Sequence, residues 1–123
     1  MIDVVAAVIK KDNKYLIAQR NRDKHFAFYW EFPGGKVNNN ESFENALKRE
    51  ILEELSINIK INNKISSERF RDKKINVEVH YFLCEKLDEE IILSEHEDMK
   101  WVFKKNLLNF NLAPGDSKII KYL

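Results

Sequence analysis

Three glycines, two prolines and one cysteine are all that this 123-residue chain has of the residues that punctuate or staple a fold. A single cysteine, Cys84, excludes an internal disulfide, and within the apolar run HYFLC it reads as a core residue and not a nucleophile. Long apolar stretches are missing as well. None approaches the roughly 20 residues that cross a bilayer, and no basic region followed by an apolar segment opens the chain. A cytoplasmic protein is expected. Nor is there an excess of either charge: 21 basic and 20 acidic residues give a net charge of +1, which leaves no electrostatic footprint for duplex nucleic acid or an anionic membrane surface. The partner expected is therefore a small molecule. No repeat, linker or low-complexity segment interrupts the chain beyond Asn38-Asn39-Asn40, a loop, so residues 1–123 read as one domain with one core, monomeric or homodimeric.

Scarcity makes placement informative. Two of the three glycines, Gly34 and Gly35, stand together after Pro33, which predicts a tight, exposed turn. From Ser42, an N-cap candidate, to about Leu55 there is no Gly or Pro, and Phe43, Leu47, Ile51 and Leu55 recur at every fourth residue. That is a helix with one buried face. At about 100° per residue, Glu50, Glu53 and Glu54 fall within roughly 100° of arc on the border of the apolar stripe. Like charges so placed repel, and half-burial raises the cost, so a cation is expected beside them. An isolated E-x-x-E-E would be read as a solvated helix face; the residues around it decide otherwise.

Gly35, five residues, Glu41, seven residues, then Arg49-Glu50-Ile51-Leu52-Glu53-Glu54-Leu55-Ser56-Ile57 resembles the Nudix box, G-x5-E-x7-R-E-U-x-E-E-x-G-U, where U is a bulky aliphatic. Ser56 stands where the family has glycine, a departure that touches helix termination and not metal chemistry. With WEFPGGK, Arg20 and His25 upstream, the chain looks like the MutT-type branch of the Nudix hydrolases over most of its length. The resemblance implies an α+β fold, a mixed β-sheet sandwiched between α-helices, and the residues agree. Strand-like runs at Ile2 to Ile9, Tyr15 to Gln19 and Phe28 to Phe32 precede the helix. Ile57 to Ile61, Ile65 to Arg71, Ile75 to Leu83, Glu90 to Leu93 and Lys100 to Phe103 follow it; Lys105 to Phe110 reads as a helical turn and Ser117 to Leu123 as a last helix.

The resemblance also assigns roles. It implies two or three Mg²⁺ ions, with Mn²⁺ able to substitute, held by Glu50, Glu53, Glu54 and the Gly34 carbonyl, with Glu95 of SEHEDMKW completing the set. Arg49 orients Glu50, Glu41 anchors the loop to Arg49, and Lys36 contacts phosphate. Glu50 is the first choice for general base and Glu95 the alternative. Arg20 is a phosphate contact or a plain surface arginine, His25 lies near the nucleotide, and Phe70 resembles a base-stacking position, with Lys73 where relatives often carry arginine. Phe28, Tyr29 and Trp30 read as core or rim, and His96 as structural or solvent-exposed. Asp116, in LAPGDSKII, is either a helix N-cap or the residue that reads the base, since an ionised Asp accepts from an amino or ring N–H where asparagine would also donate.

The activity implied is hydrolysis of a nucleoside triphosphate to monophosphate and pyrophosphate, on a cytidine triphosphate or an oxidised guanine nucleotide. Hydrolysis of ADP-ribose or a nucleotide sugar is the alternative within the enzyme class. Outside it stands a nucleotide-binding module without turnover, which would be free to lose Arg49, Glu50, Glu53 and Glu54; all four are present.

Overall fold

The computed structural model describes residues 1–87 and 90–123. Strand β1 (Ile2–Lys11) turns through Asp12 and Asn13, whose positive φ values of 51° and 63° suit a two-residue hairpin, into β2 (Lys14–Gln19). After β3 (Trp30–Glu31) and β4 (Gly34–Lys36) comes the helix α1 (Phe43–Leu55), and then β5 (Ile59–Arg71), β6 (Asn76–Lys86) and β7 (Asp98–Phe103). Two 3-10 segments, Lys104–Asn109 and Asp116–Tyr122, complete the order. Strands run β3-β2-β1-β6-β5, with β4 also beside β1 and β7 beside β2. The β1–β6 pair is parallel and the remaining described pairs antiparallel, so the sheet is mixed.

Alternation along β1 serves two cores at once. Val5, Ala7 and Ile9 pack on Leu47, Ile51 and Leu55 of α1, while Ala6 and Val8 pack on the other face against Ile17, Tyr81, Leu107 and Ile119. A strand buried on both faces loses its polar positions, which is why IDVVAAVI reads as one apolar run. The sandwich is thus as expected in its layers, except that the face opposite α1 is covered by 3-10 and not α-helical segments. The last of them has seven residues, few enough that its backbone gains little from regular α-helical bonding.

Local expectations shift in four places. Gly34 and Gly35 form no exposed turn; they lie in β4, where Ala6 and Val5 of β1 oppose them. Phe28 to Phe32 contributes only Trp30–Glu31 to the sheet, because Phe26 and Phe28 adopt left-handed φ values of 57° and 65° that break an extended chain. Ile57 to Ile61 and Ile65 to Arg71 merge into the single strand β5, which absorbs their mismatch in register shifts at Ile61/Asn63 and Lys64/Ser66. Glu90 to Leu93 is not a strand; its apolar residues Ile91 and Leu93 are there to pack on the α1 core.

The topology opens a gap. β1 and β2 pair only beside their hairpin, at Lys10/Tyr15 and Lys11/Lys14. Further on, β1 takes β4 as neighbour at Val4 to Ala6, while β2 turns away to β3 and β7. A cleft of about 600 Å³ lies where they diverge.

Candidate active site

One wall of the cleft is the contact between α1 and β4. Ser42 caps the helix by accepting the Asn45 N–H at 3.1 Å, which fixes where the helix begins and so which residues face β4. A Cβ on Gly34 would lie 1.8 Å from the Val5 carbonyl oxygen, and one on Gly35 would lie 2.4 Å from the Glu50 carboxylate. Close approach, not a special φ, is what demands these glycines. Arg49 ties the wall together: Nε and Nη2 donate to the two oxygens of Glu41, each at 2.9 Å, Nη1 to Glu50 Oε1 at 2.8 Å, and Nη2 also to the Lys36 carbonyl at 3.0 Å. Glu41 is held at about 2 by those bonds and by the Asn38 N–H. Glu53 Oε2 is 3.6 Å from Arg49 Nη1 and largely open to solvent.

Glu54 behaves differently. It is only 5% exposed, its Oε2 has no hydrogen-bond partner among the described residues, and its carboxyl is pushed up to about 10. Burial is the main cause, followed by the charges of Glu31, Glu50 and Glu95. Three further carboxylates, Glu31, Glu50 and Glu95, thus bear by charge on this unsatisfied, buried oxygen, and a hard divalent cation would supply the positive charge the group lacks and let Glu54 ionise. Glu95 is exposed at the rim, on the loop before β7, where Asn21 Nδ2 donates to its carbonyl at 3.1 Å.

Behind this wall runs a half-buried polar chain. Arg20 donates to Glu31 Oε1 at 2.5 Å and to the His25 carbonyl at 2.8 Å; Glu31 Oε2 meets His96 Nε2 at 2.8 Å, and His96 Nε2 is 3.9 Å from Glu54 Oε2. Sequence reasoning passed over Glu31 and set His96 aside as structural or exposed, yet the His96 side chain is 5% exposed and both line the cleft. No local pattern in the sequence marked either one, because strand pairing and a long-range contact bring them into the cleft.

At the far wall, His25 Nε2 pairs with Asp72 Oδ2 at 2.8 Å, which joins the loop after β2 to the β5–β6 turn. The bond to His25, with the N–H groups of Ile75 and Lys74, lowers Asp72 to about 2. Phe70 lines the cleft, as expected of a stacking residue, and Phe26, which sequence reasoning missed, meets it edge-on at 5.8 Å. Phe28 and Tyr29 are exposed; Trp30 packs on Phe110. Lys36 lines the cleft, whereas Lys73 is exposed and does not.

Asp116 forms the cleft's polar inner end. Its side chain caps no helix: Gly115 holds the N-cap position, and the Asp116 carboxylate turns inward to accept the Phe32 N–H at 3.0 Å and the Tyr81 hydroxyl at 2.5 Å. Burial above all, offset in part by the Tyr81 bond, raises it to about 7. One more His-carboxylate group, Asp3, Glu78 and His80, has its ligand atoms within 4.8 Å of one another but lies outside the cleft. Lys64 sits at His80 Nδ1 and Arg69 at Glu78, so cations already balance it.

A glycine strand pressed against a glutamate-bearing helix, its arginine forked between them, is the arrangement of a Nudix domain. A model of the NUDIX domain family matches residues 1–123, and the chain belongs to that family. Among curated proteins it is 34% identical over 121 residues to the CTP pyrophosphohydrolase of Escherichia coli (strain K12), covering 98% of this chain and 90% of that one. It is also 34% identical over 118 residues to the 8-oxo-dGTP diphosphatase of Buchnera aphidicola subsp. Schizaphis graminum (strain Sg), covering 96% and 89%. Among solved structures, that of the E. coli ORF135 protein superposes with a TM-score of 0.85 at 34% identity, over 99% of this chain and 87% of the other. The MutT NUDIX hydrolase from Burkholderia pseudomallei shares the fold at a TM-score of 0.90 and 24% identity, over 99% and 97%. The chain is a MutT-like Nudix hydrolase.

Proposed function

We propose that the protein is a Mg²⁺-dependent pyrophosphohydrolase that converts a nucleoside or deoxynucleoside triphosphate and water to the monophosphate and pyrophosphate, with Mn²⁺ able to replace Mg²⁺. The buried Glu54 carboxylate oxygen, without a hydrogen-bond partner among the described residues, with Glu50, Glu53 and Glu95 around the same cleft, is the observation that carries this reading. Glu50, Glu53, Glu54, the Gly34 carbonyl and Glu95 would hold the cation. When bound, it supplies neutralisation of phosphate oxygens and a more acidic water. The residues do the remainder. Arg49 keeps Glu50 in place through Nη1, Glu50 takes the proton of the attacking water, and Glu95, exposed at the rim, is the alternative base. Lys36 at the cleft mouth answers phosphate charge, and Arg20 can do so with the part of its fork not bound to Glu31.

Phe70 and Phe26 offer aromatic faces to a base, His25 fixes the loop that carries Phe26, and Asp116 receives the base's polar edge. An ionised Asp116 suits an amino-bearing pyrimidine such as cytosine. Its elevated pKa of about 7 favours a second reading too, since a neutral carboxyl can donate to an oxidised guanine. The names of the two curated relatives fall on these same two classes. Among the described residues no helix is long and apolar enough to cross a membrane; a cytoplasmic monomer or homodimer acting on free nucleotides accords with this reading.

The test is a panel of nucleoside triphosphates assayed with Mg²⁺, scoring pyrophosphate against orthophosphate. Pyrophosphate is expected, and Glu53→Gln is expected to lose at least about tenfold in rate, because the amide keeps shape and removes ligand charge. Turnover that persists undiminished in EDTA overturns the reading.

A further inference from the structure

The polar end of the cleft is built from behind. Tyr81 stands on β6, fully buried, and does not line the cleft; its hydroxyl donates to Asp116 Oδ1 at 2.5 Å while the Phe32 N–H donates to Oδ2 at 3.0 Å. Each oxygen thus meets one protein donor, which leaves the remaining lone pairs for whatever enters. The hydroxyl has little freedom to leave. Tyr81 packs edge-on to the Phe32 ring, at 6.4 Å and 89°, and a Cβ on Gly115, whose φ is +93°, would come within 3.2 Å of the hydroxyl oxygen. Burial, Asp116, Glu68 and Glu31 all raise the phenol far above its ordinary range, so it stays a protonated donor.

We propose that Tyr81 is a positioning residue for base selection: its buried hydroxyl holds the Asp116 carboxylate as an acceptor toward the cleft, and the cleft therefore favours a base offering an amino group over one offering a carbonyl. The inference rests on the nucleotide reading above and adds to it a residue that touches no substrate. Phenylalanine at position 81 keeps the ring and its packing on Phe32 but frees Asp116 Oδ1, whose carboxylate can then rotate or gain a proton. Either change admits the carbonyl base.

The experiment compares CTP with UTP, which differ by an amino group against a carbonyl on the same ring carbon and by a bare ring nitrogen against an N–H beside it, in wild type, Tyr81→Phe, Asp116→Asn and the double variant; the amino group and not the ring N–H is the donor assigned to Asp116. Wild type is expected to favour CTP by about tenfold or more in kcat/KM, the discrimination a mispaired polar group gives in a dry pocket. Tyr81→Phe is expected to cut that ratio by at least about fivefold, mainly through KM, with kcat within about threefold, because the metal-side carboxylates are untouched. In the Asp116→Asn background the same change should move the ratio by less than about twofold, since Tyr81 acts through Asp116. An equal effect on CTP and UTP, or a loss confined to kcat, overturns the inference. Should Tyr81→Phe not fold, difluorotyrosine at position 81, a stronger donor of nearly the same volume, is expected to raise the CTP-to-UTP ratio, and a ratio that stays or falls overturns it. Wild-type turnover without base preference sinks the inference alone; no turnover of any nucleoside triphosphate with Mg²⁺ or Mn²⁺ sinks the nucleotide reading with it.

Discussion

Asp116 ties the stability of the fold to the protonation of one buried carboxyl. A carboxyl held at about 7 in the folded chain, against an ordinary 3.8, binds its proton more tightly folded than unfolded. Its contribution to stability is therefore intact below pH 4, is lost as pH rises from about 4 to about 7, and stays lost above, at a cost on the order of 4 kcal/mol. Asparagine carries no such charge, and its carbonyl can accept the Phe32 N–H while its amide donates to the Tyr81 oxygen. Asp116→Asn is accordingly expected to melt higher than wild type by a margin that widens between pH 4 and pH 7 and is then flat; thermal melts across that range, run without nucleotide, check it. A constant margin would place the titration on another group. At this scale the sequence marked Asp116 as significant but left two roles open, because capping and base reading make the same demand on residue type. The direction of the side chain, away from its own helix and toward Phe32 and Tyr81, excludes the cap.

At the scale of the element, α1 was legible almost to the residue. Its stripe of Phe43, Leu47, Ile51 and Leu55, its cap at Ser42 and its end at Leu55 are local properties, and local chemistry decides them. Its terminator carries strain: Ser56 sits at φ 59° and ψ 31°, a left-handed conformation, while its N–H bonds the Leu52 carbonyl at 3.1 Å. Glycine adopts that conformation without the Cβ penalty, so Ser56→Gly is expected to stabilise by about 0.5 to 1 kcal/mol with activity retained. Urea unfolding together with the pyrophosphate assay checks both halves, and a large loss of activity would give Ser56 a further role. The paired glycines were read less well. Their isolation suggested a turn, whereas Gly34 is small because the Val5 backbone comes too near for any side chain and a side chain on Gly35 would displace the Glu50 carboxylate; both neighbours arrive from elsewhere in the chain.

Across the whole molecule, the cleft exists because β1 and β2 part company after their hairpin and β4 enters between β1 and the helix. The fold then turns carboxylates from α1, β3 and the loop before β7 toward one space, where like charges repel. Added Mg²⁺ is expected to raise the melting temperature over that in EDTA, by about 2.7 kcal/mol of stabilisation at a hundredfold excess over Kd. Glu54→Gln is expected to melt higher than wild type in EDTA and to gain less from Mg²⁺, since it removes both the buried charge and the ligand. Differential scanning calorimetry reads both, and a variant that gains as much as wild type would remove Glu54 from the metal set.

What the sequence by itself determined is what nearest neighbours along a chain can dictate: the helix and its cap, the strand-forming runs, the spacing that puts Glu50, Glu53 and Glu54 on one edge, and the family those residues resemble. What only the tertiary structure decided is each contact between residues distant in the chain. Glu31 bridges Arg20 and His96, Phe26 faces Phe70, and Tyr81 stands behind Asp116. Each of these depends on how the strands lie beside one another and not on the pattern within any one of them, and a pattern of single residues holds no record of that adjacency.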